Sequence, residues 1–263
     1  MMQLNGRDVT IAEMGSLALY NYGHFTSMRV ENLSVPGLSL HLERLQGDCA
    51  TLFDVSLDLD FLRQLLRKAA ASFTGPATIR VTIFDPDLDL GHPGNDSSPQ
   101  ILISSRPAAS ATLPPLRLTL TEYARDLPTV KHVGLFETIR GRRMAQRQGY
   151  DDVLFVGSDG RITEGATWNI GFFDGARILW PEADVLPGVT MRLVETVLRA
   201  RNIPSVKVPL ESQALGEMQA AFATNVSVGV RPIVAIDEHE FPAELPVISA
   251  LREGYFALPA EPI

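Results

Sequence analysis

Residues Gln148–Thr190 read QGYDDVLFVGSDGRITEGATWNIGFFDGARILWPEADVLPGVT, and this stretch decides the fold. Asp152–Gly157 is a run of β-formers, Ser158-Asp159-Gly160 is a turn, and Arg161–Thr163 leads out of that turn into Glu164. Asn169–Phe173 and Arg177–Trp180 flank Asp174-Gly175, a dipeptide suited to the positive φ angles of a tight hairpin. Leu186-Pro187-Gly188 ends the extended pattern and opens a helix over Val189–Arg201. Strand follows strand through turns, and few strands are joined by regular helical crossovers. That order predicts an α+β fold rather than a doubly wound parallel sheet.

Working outward, Gly134–Gln148 is helical, with Arg140, Arg142, Arg143 and Arg147 on its polar surface. Ile101–Ser105 and Leu116–Leu120 are short strands separated by RPAASATLPP (Arg106–Pro115), which reads as an interdomain linker. The expected division is a small N-terminal α+β domain at 1–110 and a larger C-terminal domain at 111–263. In the first, Leu17–Val30 is rich in aromatic and β-forming residues and reads as a strand with a turn near Gly23. Leu38, Leu42, Leu45, Cys49 and Leu52 recur at helical spacing across Leu38–Phe53. Asp60–Ser72 is a second amphipathic helix with Asp60 placed to cap it, and Ala77–Phe84 alternates as a strand. Downstream, Ala220–Thr224 and Gly229–Ile236 are strands, and a helix lies near Pro246–Tyr255.

The net charge of −8 over 263 residues argues against a nucleic-acid or anionic-membrane partner, since both want a basic face. A single cysteine, Cys49, excludes an intramolecular disulfide and reads as a small buried apolar residue. No apolar run approaches the roughly 20 residues that span a bilayer, and the N-terminus has no basic region followed by an apolar stretch, so the expected location is the cytoplasm. Asp85, Asp87 and Asp89 have the spacing of a calcium loop, but Leu90 stands where that loop needs glycine and no Glu closes it. The five histidines are scattered without the i, i+4 pairing of common zinc sites.

Only Lys68, Lys131 and Lys207 can supply a primary amine from a side chain. Lys68 sits on the polar side of a helix and Lys207 reads as a strand-surface residue. Lys131 lies in LPTVKHVGLF (Leu127–Phe136), a run without carboxylates, where desolvation would lower its pKa and favour nucleophilic chemistry. Glu164 stands among small residues and amides that can fix a carboxylate by hydrogen bonds. Gly188, Val189 and Thr190 bring backbone N–H groups and a hydroxyl to a helix start, a ready anion site. Arg44 projects from a helix, and Thr224-Asn225-Val226-Ser227 closes a strand with polar groups.

Taken in order, Lys131, Glu164 with Asn169, LPGVT at 186–190 and Ala223-Thr224-Asn225 resemble the class IV aminotransferases, the fold-type IV enzymes dependent on pyridoxal 5′-phosphate (PLP). HLERL at 41–45 is similar to the family's helix whose arginine grips the phosphate, so the resemblance covers nearly the whole chain. It implies a two-domain α+β homodimer in which Lys131 holds PLP as a Schiff base and shuttles the proton at Cα. Glu164 would face the ring nitrogen, and Arg44, Asn169, Gly188, Val189, Thr190, Thr224 and Asn225 would complete the cofactor site. Tyr20, Phe25, Arg80, Phe136, Val226 and Ser227 would line the substrate pocket. The chain departs from the family pattern at Thr26, at Gly134-Leu135-Phe136 and at Met191, which concerns the substrate more than the cofactor. The resemblance implies an aminotransferase joining an amino donor to an oxo-acid acceptor. It leaves open a PLP lyase of the 4-amino-4-deoxychorismate type and a non-catalytic PLP-binding relative.

Overall fold

A computed structural model describes residues 2–109 and 113–263. The chain divides into two compact units, Met1–Ala109 with Val130–Gly134 and Pro259–Ile263, and Ser110–Thr129 with Leu135–Leu258. The single cut expected between 110 and 111 falls on residues 110–112, outside the described residues. Two short segments from the second half, one of them carrying Lys131, belong to the first unit.

The first unit contains β1 (Met2–Leu4), β2 (Arg7–Asp8), α1 (Met14–Tyr20), β3 (His24–Val30), β4 (Ser34–Val35), α2 (Leu38–Phe53), α3 (Leu59–Ala70), β5 (Ala77–Phe84) and β6 (Gln100–Pro107). Its main sheet is antiparallel in the order β2-β1-β6-β5-β3, and Glu261–Pro262 pairs with β4. Alternate strand residues Met28, Val30, Ile79, Val81, Ile83, Ile101 and Ile103 form one apolar face. Leu38, Leu42 and Leu45 of α2 and Leu62 and Leu66 of α3 cover it, each at 4 % exposure or less. A fully buried leucine or isoleucine contributes about 1.5–3 kcal/mol, so this face secures both helices.

Two local expectations are corrected here. Leu17–Tyr20 is helical rather than extended: Leu17 packs beside Leu4 and Phe84, and Ser16 Oγ donates to the Asp85 carbonyl at 2.7 Å. Tertiary contacts override the β preference of these side chains. The chain then reverses through Asn21 (φ 53°) and Gly23 (φ 152°), where a Cβ would stand 2.5 Å from the Ile83 carbonyl. The cap of α3 is Asp58, which accepts from Phe61 N at 2.9 Å, while Asp60 lies within the first turn.

The second unit contains β7 (Leu116–Glu122), α4 (Phe136–Arg147), β8 (Asp152–Val156), β9 (Ile162–Gly165), β10 (Asn169–Phe173), β11 (Ile178–Pro181), α5 (Val189–Ala200), β12 (Ser205–Val208), β13 (Ala220–Asn225), β14 (Gly229–Ile236), β15 (His239–Glu240) and α6 (Pro246–Phe256). Its strands run in the order β12-β11-β10-β13-β14-β7-β8-β9. Because β9 returns against β10 and β11, the sheet curls back on itself. The two-residue period separates its faces: Ile178, Trp180, Ala220 and Phe222 meet α5 and α6, while Leu179, Ala221 and Ala223 enter the opposite core with Leu118, Leu154 and Trp168.

Candidate active site

The two units each gather part of the set of residues singled out from sequence. In the first, Val130–Gly134 adds itself to the free edge of β3. Phe25 N donates to the Lys131 carbonyl at 2.9 Å, Val133 N donates to the Gly23 carbonyl at 2.9 Å, and His24 and His132 form an antiparallel bridge. The Lys131 N–H reaches Asp48 Oδ2 at 3.1 Å. The Lys131 run contains no carboxylate of its own, but α2 brings one to its main chain.

Phe25 carries two cations. Lys131 Nζ lies 5.0 Å from its ring centroid and Arg80 Cζ lies 3.6 Å from it, both within cation–π range. Arg80 Nε donates to Thr82 Oγ1 at 3.2 Å, and burial works against its positive charge. Beneath them, buried His41 shares a hydrogen bond with Thr26 Oγ1 at 2.7 Å. Burial, then the charges of Arg44 and Lys131, push the His41 imidazole down to about 3, so the ring is neutral. Arg44 sits half-buried one turn after His41 on α2, and Tyr20 closes α1 partly exposed. This unit offers an amine, two guanidiniums and a flat apolar ring, a set suited to anionic, planar ligands.

In the second unit, Glu164 is 5 % exposed at the end of β9. Asn169 Nδ2 lies 3.4 Å from Glu164 Oε2 and donates to the Leu186 carbonyl at 2.8 Å, while Leu186 N donates to Glu164 Oε2 at 3.3 Å. Arg125 Nη1 stands 3.6 Å from Glu164 Oε1, with side-chain exposures of 10 % and 7 %. The carboxylate is therefore fixed from three directions. Gly188 then caps α5 without a side-chain hydrogen bond of its own, and buried Thr190 stands in the first turn. Across the β10–β13 ladder Asn169 is in register with Thr224, whose buried Oγ1 has no hydrogen-bond partner. Such an atom costs about 1–3 kcal/mol unless a ligand satisfies it.

Asn225 Oδ1 accepts from Ser227 N at 2.9 Å and Val228 N at 3.2 Å, which shapes the turn that displays Val226 and exposed Ser227. Phe136 opens α4 and is 76 % exposed. Cys49 is buried and its thiol is pushed up to about 11, first by burial, in keeping with a structural residue. Among the described residues no group of three or more His, Cys, Asp or Glu could hold a metal ion. No described helix is long and apolar enough to cross a membrane.

Sequence reasoning passed over Arg125 and Asp48. Arg125 gives no pattern signal. Asp48 does, because it interrupts the apolar face Leu38-Leu42-Leu45-Cys49 of an amphipathic helix, where a charge needs a partner.

The family model described as amino-transferase class IV matches residues 23–236. A Thermotoga maritima relative, named probable branched-chain-amino-acid aminotransferase, is 26 % identical over 229 residues, covering 82 % of this chain and 78 % of its own length. A hypothetical aminotransferase from Mycobacterium tuberculosis in its PLP-bound form superposes with a TM-score of 0.83 at 18 % identity, covering 98 % of both chains. A Legionella pneumophila chain assigned to 4-amino-4-deoxychorismate lyase superposes with a TM-score of 0.79 at 21 % identity, covering 93 % of this chain and 92 % of its own. The α+β, fold-type IV architecture expected from the sequence is the one found.

Proposed function

The chain belongs to the class IV aminotransferase family, a family of transferases, and from that premise we propose that it is a PLP-dependent enzyme. It moves an amino group between an amino acid or amine and an oxo acid. The observation that carries this reading is the buried Glu164 carboxylate, held by Asn169 and the Leu186 N–H beside an α5 start that displays Thr190.

The donor set fits the cofactor. The unsatisfied Thr224 hydroxyl, buried Thr190 and the backbone N–H groups that point out of the start of α5 suit a phosphate, and Glu164 suits a protonated ring nitrogen. PLP, when bound, supplies an electron sink for negative charge at the donor's α-carbon. Lys131 would hold the cofactor through its side-chain amine, and that Nζ, once displaced by the donor's own amine, would be the base that moves the proton at the α-carbon. Glu164 would face the ring nitrogen and favour its protonated form. Val189, Thr190, Thr224 and Arg44 would hold the phosphate, with Asn169, Gly188 and Asn225 shaping its surroundings. Arg80 holds the substrate carboxylate, while Tyr20, Phe25, Phe136, Val226 and Ser227 line the pocket. The first unit is the small domain and carries Lys131 and Arg44, the second is the larger domain and carries the other cofactor-binding residues, and the working form is a homodimer.

The likeness to the lyase-assigned Legionella chain supports a second reading, elimination of pyruvate from aminodeoxychorismate with the same lysine. Absorption spectra of the PLP-reconstituted protein and of Lys131→Ala test the first reading. A visible band present only with Lys131, bleached by a single amino acid, is expected. No band after reconstitution refutes the cofactor assignment, and turnover of aminodeoxychorismate without an amino acceptor selects the lyase.

A further inference from the structure

Asp48 is 5 % exposed on the buried face of α2, among Leu38, Leu42, Leu45, Cys49 and Phe53 and one other polar residue, His41. A carboxylate buried there must be compensated by polar partners, whereas an apolar residue would pack the same face without any. Its Oδ2 accepts the Lys131 N–H at 3.1 Å, across a sequence separation of 83 residues. The same oxygen lies 3.9 Å from His24 Nδ1, and burial pushes that imidazole down to about 4, so this contact is not an ion pair at neutral pH. The other side of the Lys131 peptide is held too, because its carbonyl accepts from Phe25 N at 2.9 Å.

We propose that Asp48 is the positioning residue for the cofactor lysine, its carboxylate clasping the Lys131 main chain to α2 and the edge of β3. The inference rests on the reading of Lys131 given above. A lysine side chain has four rotatable bonds, so Nζ can be delivered to one place repeatedly only if its Cα is fixed. Arg44 and Asp48 are four residues apart on α2, hence one turn apart on one face, with side chains spaced by roughly 5–6 Å. The helix therefore sets a fixed interval between the arginine assigned to the phosphate and the backbone that carries the amine. The Phe25 ring, to which both Lys131 Nζ and Arg80 are drawn, is part of the same edge strand.

The test compares wild type, Asp48→Ala and Asp48→Asn by three measurements. These are amide hydrogen exchange at Lys131 in the apoprotein, the rate at which added PLP forms its lysine-dependent band, and kcat and KM for the amino donor. For Asp48→Ala the Lys131 amide is expected to exchange at least ten-fold faster. Band formation and kcat are expected to fall by about ten-fold or more while KM changes little, as for a displaced catalytic group. Asp48→Asn keeps an acceptor oxygen and is expected to recover most of each loss. Unchanged exchange and band formation in Asp48→Ala, or an Asp48→Asn protein as impaired as Asp48→Ala, overturns the proposal. If Asp48→Ala does not fold, wild type and Asp48→Asn decide: both must protect the Lys131 amide, and exchange at the unprotected rate in wild type overturns it. If wild type forms no lysine-dependent band, the cofactor reading fails, and exchange at Lys131 still decides whether Asp48 holds that backbone.

Discussion

The side-chain amide of Asn169 stands 3.4 Å from Glu164 Oε2 while donating at 2.8 Å to the Leu186 carbonyl, so one residue ties the end of β9 to the loop before α5. Asn169→Ala removes both contacts and leaves a buried carbonyl short of a donor, a loss of about 1–3 kcal/mol. The apoprotein Tm is expected to fall by a few degrees and PLP binding, measured by equilibrium dialysis, to weaken by about ten-fold, a cost of about 1.4 kcal/mol. An unchanged dissociation constant would mean that Glu164 is held well enough by Leu186 and Arg125 alone.

Asp152 anchors a second network in the same unit. It accepts from Arg142 Nε at 3.0 Å, Arg142 Nη2 at 2.8 Å, Trp168 Nε1 at 2.8 Å and Val153 N at 2.8 Å. Arg142 Nη2 also donates to Thr167 Oγ1 at 2.8 Å, so the network braces the turn that links Glu164 to Asn169. Asp152→Ala strands the buried indole N–H and unpairs the guanidinium. A loss of about 3 kcal/mol is expected from the urea midpoint, with a changed near-ultraviolet signal from Trp168. Arg142 is 35 % exposed at its side chain, so Arg142→Ala is expected to cost clearly less.

Buried His24 makes stability depend on pH. Its folded-state value of about 4 lies below the ordinary 6.5, with burial as the cause. The unfolded chain therefore takes up the proton first. Stability is fully present above pH 6.5 and is lost as pH falls from 6.5 toward 4, by up to about 3 kcal/mol from this ring. Neutral His41, pushed down to about 3, adds a slope of the same sign. Denaturation midpoints between pH 7 and pH 4.5 are expected to fall in wild type and to fall about half as steeply in His24→Phe. Equal slopes would show that His24 takes up its proton over the same pH range in the folded and unfolded states, so that burial does not depress it.

What the sequence disclosed is what depends on local order. The hairpin across Asp174-Gly175 and the Leu38–Phe53 helix rest on residues close in the chain, and the order Lys131, Glu164, LPGVT carries the family resemblance without reporting any contact. Contacts between distant segments were not legible. Residues 130–134 join β3 by main-chain hydrogen bonds over about a hundred residues, and backbone pairing leaves no side-chain pattern to read. Leu17–Tyr20 was misread for a related reason: an aromatic, β-rich run became a helix because Leu17 found Leu4 and Phe84. Arg125, 39 residues before Glu164, pairs with it only through the curl of the sheet.

Gly188 offers the sharpest steric test of the site. Its φ of −59° and ψ of 135° suit any residue, so backbone freedom does not explain a glycine there. A Cβ at that position would stand 1.9 Å from Asn169 Oδ1. Gly188→Ala must therefore push the Asn169 amide off Glu164 and the Leu186 carbonyl, or shift the start of α5 where Thr190 sits. Overpacking of this kind costs about 1–3 kcal/mol, and PLP affinity is expected to drop by at least ten-fold. A double variant separates the two effects. Adding Asn169→Ala removes the clash, so Tm is expected to recover toward that of Asn169→Ala alone, while PLP binding stays weak because Glu164 has lost its amide. Additive losses in the double variant would show that Gly188 and Asn169 act independently, and that the cramped cap of α5 serves some purpose other than holding this amide in place.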